Sequence, residues 1–233
     1  MNVNPFKQLN KFDLFLYGCS IFLIGGCFVF SQNKDYLTLI SSIFGITSLV
    51  FIVKGQVIGQ VISMVFAIFY AITSFIFGYY GEFLIYIFMS FPVSFISVIS
   101  WLIHPHANFK EVAVSAIKLW QIILMVFLAF LIGVSFYFIL GLFNTQNLIF
   151  SAISVSTSFM GLYLSVLRSP YYALAFILND LVLLVLWISA CVLSISYLPM
   201  VICFSVFLIY DLYGFINWKI MEKRQVLAKD KKI

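Results

Sequence analysis

Eight long apolar runs divide this chain, and they constrain its fold more than any other feature. Runs of about 20 apolar residues are long enough to cross a bilayer. The sequence predicts helices over roughly 13–31, 37–53, 57–77, 83–102, 119–142, 148–167, 171–194 and 198–218. Composition agrees: charged residues make up 9% of the chain, against roughly 25% in a soluble domain. The fold class is an all-α membrane protein with eight transmembrane helices. Nothing outside them is large enough to form a separate soluble domain.

The second, third and fourth runs are echoed by the last three. A shift of about 117 residues superimposes Tyr80 on Tyr197, Trp101 on Trp218, Ile99 on Ile216 and Tyr70 on Trp187. Lys54 and Arg168 correspond at a shift of about 114, which implies a short insertion between the sixth and seventh helices. With eight spans the second and sixth helices run the same way. The repeats are then parallel, related by an axis along the membrane normal, with the fifth helix as the linker. The arrangement is 1+3+1+3 within a single integral membrane domain, 1–233. It comprises an extra helix in 1–36, a first bundle in 37–102, a loop and linker helix in 103–146, a second bundle in 147–218 and a basic tail in 219–233.

Charge gives the orientation. One side of the membrane holds Lys7, Lys11, Lys54, Lys110, Lys118, Arg168, Lys219, Lys223, Arg224, Lys229, Lys231 and Lys232; the other holds Lys34, beside Asp35. This positive-inside pattern places both termini in the cytoplasm. The basic tail reads as a topology anchor near anionic lipid. No folded domain or aromatic interleaving accompanies it, which argues against nucleic acid as a partner. The first run lacks a small-residue cleavage site and keeps bulky Phe28 and Phe30 to its end, so it reads as a retained helix.

Two carboxylates stand well inside apolar segments, Asp180 in the seventh helix and Asp211 in the eighth. A carboxylate at the bilayer centre costs about 3 kcal/mol on insertion scales, so it faces a cavity or a partner. Tyr172, Phe176, Asn179, Asp180 and Trp187 form a stripe of rings with an amide and a carboxylate between them. Tyr210, Asp211 and Asn217 make a similar set on the eighth helix, with Gln60 and Tyr70 on the third and Tyr86 on the fourth. Aromatic faces stack on a planar ring and attract a cationic one. Amides and carboxylates satisfy sugar hydroxyls where water is scarce. The same groups also serve to join helices to one another, and that reading stays open.

Other features carry less. Gly55 and Gly59 form a small-xxx-small pair, and Pro92 should kink its helix or free a carbonyl. His104 and His106 flank Pro105 without a third ligand, so no metal site is expected. Cys19, Cys27, Cys191 and Cys203 all fall within helices and imply no disulfide framework. There is no phosphate-binding Gly-rich loop and no cofactor motif. A membrane-embedded enzyme lacks a histidine base within the helices, leaving the two aspartates alone. A substrate-binding subunit of a larger transport complex is the other alternative.

The stretch Arg168-Ser-Pro-Tyr-Tyr-Ala-Leu-Ala-Phe-Ile-Leu-Asn179-Asp180, leading to Trp187, resembles the penultimate helix of the PnuC family of bacterial nicotinamide riboside transporters. Asp211-Leu-Tyr-Gly-Phe-Ile-Asn-Trp-Lys219 resembles its last helix, and Phe77-Gly-Tyr-Tyr-Gly-Glu82 with Trp101 is similar to the first half. The likeness spans about 50–220. It implies a SWEET-like fold with paired three-helix bundles around a central site. It also implies facilitated uptake of nicotinamide riboside, a planar cation on a ribose, across the bacterial cell membrane, with a cytosolic riboside kinase trapping the product. An assembly of identical copies is compatible with it. The family's Trp-x-x-Trp-x-x-x-Asn pattern keeps its Asn at Asn179, while Tyr172 and Ala175 occupy the Trp positions. Relatives carrying thiamine, riboflavin or deoxynucleosides share the scaffold, so this departure leaves another vitamin or nucleoside open. Alternating access around Asn179, Asp180 and their neighbours is the expected mechanism.

Overall fold

The computed structural model describes residues 5–30, 36–106, 111–143 and 147–230. Lys34, Asp35, Lys110, Lys231 and Lys232, on which part of the charge asymmetry rests, lie outside the described residues. Eight helices among the described residues are long and apolar enough to span a membrane. They are α1 (Lys11–Phe30), α2 (Tyr36–Val53), α3 (Val57–Ile76), α4 (Tyr80–Ile103), α5 (Leu119–Leu142), α6 (Leu148–Val166), α7 (Tyr172–Leu193) and α8 (Leu198–Asp230). An even number of spans puts the start of α1 and the end of α8 on one face of the bundle, here the terminal face. The described links of the opposite face, 77–79 and 194–197, contain no Lys or Arg.

The last helix corrects the sequence expectation. It does not stop near 218 but continues as helix to Asp230, so most of the stretch read as a basic tail is ordered secondary structure. Two of its cations form ion pairs: Lys219 with Glu222, and Arg224 with Glu111. Gln225 donates to the Glu111 carboxylate and the Val112 carbonyl and accepts from the Val114 amide. The 111–115 segment is thereby held as a strap across the terminal face. Val112 N donates to Gly55 O, and Ser115 N to Arg168 O.

Those two acceptors mark equivalent points. α2 ends because Gly55 turns left-handed (φ +64°), with Gly55 N on Ile52 O and Gln56 N on Phe51 O. α6 ends in the same way at Arg168 (φ +56°), with Arg168 N on Ser165 O and Ser169 N on Leu164 O. The backbone therefore pairs Arg168 with Gly55 rather than with Lys54. Matching like charges misses the register by one residue, because the turn needs a conformation and not a charge. Gly59, one turn into α3, lies so close to α2 that a Cβ would stand 2.6 Å from Ile52 N. This glycine sets the α2–α3 crossing.

The C-terminal carbonyls of α2 and α6 receive donors from the far half. Trp218 Nε1 donates to Ile52 O at 2.9 Å and Asn217 Nδ2 to Val53 O at 2.6 Å. Reciprocally, Trp101 Nε1 donates to Ser165 O at 2.9 Å and Ser100 Oγ to Val166 O at 2.7 Å. Both indoles are fully buried, and their rings meet with centroids 5.4 Å apart. At the opposite face the closure is aromatic: Tyr79 packs on Trp187 at 4.7 Å and on Tyr197 at 5.9 Å, and Phe77 also meets Tyr197.

α1 is fastened by a charge the sequence reading passed over. Asn10 and Asp13 cap the helix reciprocally, through Asp13 N to Asn10 Oδ1 and Asn10 N to Asp13 Oδ2. The Asp13 carboxylate also binds Lys54 Nζ at 2.8 Å and accepts from Tyr213 OH at 2.7 Å. Lys54, expected only as a topology charge, thus joins α1, α2 and α8. In α4, Tyr86–Ser90 form a π turn in which Phe91 N reaches Tyr86 O. Pro92 follows directly, and its missing N–H is accommodated by that widened turn.

Two outcomes follow from this packing. Trp218→Phe keeps the ring and removes only the donor, so a buried carbonyl loses a partner, at a cost of about 1–3 kcal/mol. Thermal unfolding in detergent should show a clearly lowered Tm, whereas Phe22→Leu at an exposed α1 position should melt with the parent. Asp13→Asn should also lower Tm, since it leaves Lys54 without its counter-charge; an unchanged melt would remove the α1 clamp from the account.

Candidate functional site

Between the two closures lies a cavity to which α2, α3, α4, α6, α7 and α8 all contribute, while α1 and α5 do not. Its apolar lining includes Leu49, Ile52, Phe66, Leu162, Phe204 and Phe207. Its polar lining comprises Ser48, Gln60, Ser63, Tyr86, Ser90, Ser94, Ser158, Ser165, Tyr172, Asn179, Asp180 and Asp211, with Phe176 presenting a further ring. Phe176 can lie against α6 because residue 161 is glycine: a Cβ there would come within 2.9 Å of the ring.

Asn179 is oriented by α6. Thr157 and Ser158 hydroxyls each stand 2.9 Å from its Oδ1, which leaves the amide N–H groups as the donors available to a ligand. Gln60 Nε2 donates to Ser165 Oγ at 2.9 Å, so Gln60 both lines the cavity and ties α3 to α6. Asp180 and Asp211 are each 3% exposed, and both line the cavity. Asp180 Oδ2, Asp211 Oδ1 and Tyr172 OH are buried without a hydrogen-bond partner among the described residues. The lining contains no Lys, Arg or His.

Of the residues singled out in the sequence, Gln60, Tyr86, Tyr172, Phe176, Asn179, Asp180 and Asp211 meet at this cavity. Tyr70, Trp187, Tyr210 and Asn217 are not in its lining. Tyr70 stands behind Tyr86, rings 4.3 Å apart, and packs with Phe204. Trp187 stacks on Phe204 and Tyr79 in the opposite-face closure. It is two helical turns beyond Asp180, about 10 Å along the axis, which carries it out of the cavity although it shares the face. Tyr210 neighbours Asp211 and so points about 100° away around the helix, toward Ser20 of α1. Asn217 is spent on the Val53 carbonyl.

The serines at 48, 94, 158 and 165 were missed, although Ser90 and Ser94 share a helical face and Ser158 and Ser165 share another. Glu82 was missed as well: it is 4% exposed and accepts from Ser154 Oγ at 3.3 Å. The signal for Asp13 was present as the Asn10-x-x-Asp13 capping spacing. His104 Nδ1 lies 2.8 Å from Ser100 O, and no group of three potential metal ligands stands together among the described residues.

Three comparisons bear on this geometry. The chain is similar to the nicotinamide riboside transporter PnuC of Neisseria mucosa, 27% identical over 204 residues that cover 84% of this chain and 77% of that one. Its fold is that of a solved protein, described as the vitamin B3 transporter PnuC in a crystal structure, with a TM-score of 0.81 at 22% identity over 93% of this chain and 94% of that one. The family description "nicotinamide mononucleotide transporter" matches residues 35–220, which take in every helix that lines the cavity. The chain belongs to the nicotinamide mononucleotide transporter family of membrane transporters.

Proposed function

We propose that this protein is a facilitative importer of nicotinamide riboside. The observation that carries the reading is the cavity's set of buried polar atoms without partners, Tyr172 OH, Asp180 Oδ2 and Asp211 Oδ1, beside the rings of Phe176 and Tyr86. A planar cation on a ribose answers both features: ring faces for the nicotinamide and acceptors for hydroxyls. Asn179 is placed to donate to the ligand, and Gln60 completes the polar wall. The family's printed description and the relative's name differ by a phosphate. With two carboxyls and no basic residue in the lining, a phosphate dianion would be desolvated against like charge, so the riboside is the better fit.

Transport is by alternating access between two parallel three-helix repeats, α2–α4 and α6–α8, with α1 as the extra helix and α5 as the linker. The reciprocal Trp101 and Trp218 caps support that division, because equivalent residues make equivalent bonds across the middle. Closure at both faces supports an occluded arrangement. The free space of about 90 Å³ is smaller than the roughly 300–1,000 Å³ pockets that hold small ligands, so admission of a nucleoside requires the bundles to part. The termini are cytoplasmic in the bacterial cell membrane, since the basic residues gather there. Import runs down the riboside gradient, and a cytosolic kinase keeps the product from returning.

Purified protein in liposomes should take up labelled nicotinamide riboside without ATP or an imposed ion gradient. Unlabelled riboside should compete, and the mononucleotide, thiamine, riboflavin and deoxynucleosides should not. Uptake blocked by the mononucleotide would reverse the charge argument; uptake of thiamine instead would reassign the substrate. Asn179→Ala should weaken riboside binding at least about tenfold, or about 1.4 kcal/mol, with membrane insertion and Tm close to the parent.

A further inference from the structure

Gly161 on α6 is not part of the cavity lining, yet one wall of the cavity depends on it. A Cβ there would stand 2.9 Å from each of three Phe176 ring carbons, Cδ1, Cε1 and Cε2. Cδ1 and Cε2 are para to each other, so a point equally close to both stands over the face of the ring. The ring therefore lies flat against the bare backbone of α6. Carbon atoms in ordinary contact are about 3.5–4.0 Å apart, and a methyl group at 161 would push the ring off α6 by roughly half an ångström or more.

Gly59 meets a different requirement. Its Cβ would strike backbone, Ile52 N at 2.6 Å and Ser48 O at 2.8 Å, so that glycine serves a helix crossing. At Gly161 the three nearest atoms all belong to the Phe176 ring, so here it is the ring that calls for glycine. The other half of the molecule agrees. At the register set by Gly55 and Arg168, Gly161 corresponds to Ser48 and Phe176 to Ser63. Where α3 carries no ring, α2 carries a side chain. α6 thus disposes the α7 groups level by level: Thr157 and Ser158 aim Asn179, and one turn farther on Gly161 seats Phe176.

Resting on the reading of this cavity as a nucleoside site, we propose that Gly161 is a positioning residue for the ligand: bare of a side chain, it lets the Phe176 ring stand back against α6 and so sets the width of the slot that receives the planar base. Phe176 lines the free space, and a ring displaced from α6 moves into it. The Asn179 amide and the Tyr172 hydroxyl keep their places, so the slot narrows while its polar ends are unchanged. Stability and binding then move apart. Alanine forms helix more readily than glycine, and the ring has room to yield, so Gly161→Ala should melt no lower than the parent. The cost falls on the ligand.

The experiment measures binding of labelled nicotinamide riboside to the purified full chain, with Tm on the same samples. Gly161→Ala should raise Kd about tenfold or more, the scale on which one carbon counts in an apolar pocket, with Tm at or above the parent. In liposomes the loss should fall on KM and leave the maximal rate within about twofold, the mark of lost binding. Adding Phe176→Leu should rescue: the double variant should bind more tightly than Gly161→Ala alone, because the two sites act through one contact. Gly141→Ala on α5, whose methyl would meet nothing nearer than 3.8 Å, should bind as the parent does. An unchanged Kd in Gly161→Ala would overturn the proposal while leaving the transporter reading intact. So would a clearly lowered Tm, a double variant that binds no better than Gly161→Ala, or an equal loss in Gly141→Ala. A parent protein that binds no riboside would instead remove the reading on which the proposal rests.

Discussion

The last carbonyls of α2 and α6 have to find donors where water is scarce, and each helix finds them on the opposite half of the molecule. Trp218 and Asn217 serve α2; Trp101 and Ser100 serve α6. Leaving a buried carbonyl unpaired costs about 1–3 kcal/mol, so these bonds fix the spacing of the halves far more firmly than apolar contact alone. The two indoles then fill the gap between the ends they cap, and the cavity begins directly above them. The penalty applies only while water is excluded, because an exposed carbonyl bonds to water instead.

Around that centre the terminal face is laced at a second level. The 111–115 strap donates to Gly55 O and Arg168 O, the carbonyls just beyond the two equivalent helix ends. The α8 extension holds the strap through Gln225. Asp13 adds a third tie, gathering Lys54 and Tyr213 onto α1. At the opposite face rings of Phe77, Tyr79, Trp187 and Tyr197 close the link between the helices. One closure is thus directional and hydrogen-bonded, the other built of ring contacts that impose no single direction.

What was legible in the sequence follows from how strongly the bilayer constrains a residue. Helices had to show themselves, because a span needs a long apolar run; α5 was placed at its observed ends. The pairing of Trp101 with Trp218 was legible because a buried indole needs a partner for its N–H, and symmetric partners demand symmetric indoles. Lys54 and Arg168 misled because charge was matched, whereas the left-handed turns that end α2 and α6 fall at Gly55 and Arg168. Tyr70, Trp187, Tyr210 and Asn217 were grouped with the cavity by residue type and face. Helical rise and rotation take them to other levels or sides, and residue type reports neither. The serines escaped notice for the opposite reason: a hydroxyl costs a helix little, since it can bond back to its own preceding turn as Ser154 does to Ser151 O, so it leaves no energetic signature.

The helix sets α2–α4 and α6–α8 agree at their ends and part company in the cavity, and the contrast has a physical sense. At the shift that matches Trp101 with Trp218, Asp211 corresponds to Ser94, and both line the cavity. At the register set by Gly55 and Arg168, Asn179 corresponds to Phe66 and Phe176 to Ser63, again all in the lining. A ring thus corresponds to a hydroxyl, an amide to a ring and one acid to a serine. The two sets share the bonds that fix their helix ends, where a buried carbonyl must find a donor. Their lining positions carry no such demand and differ in residue type, so the cavity presents unlike groups on its two sides.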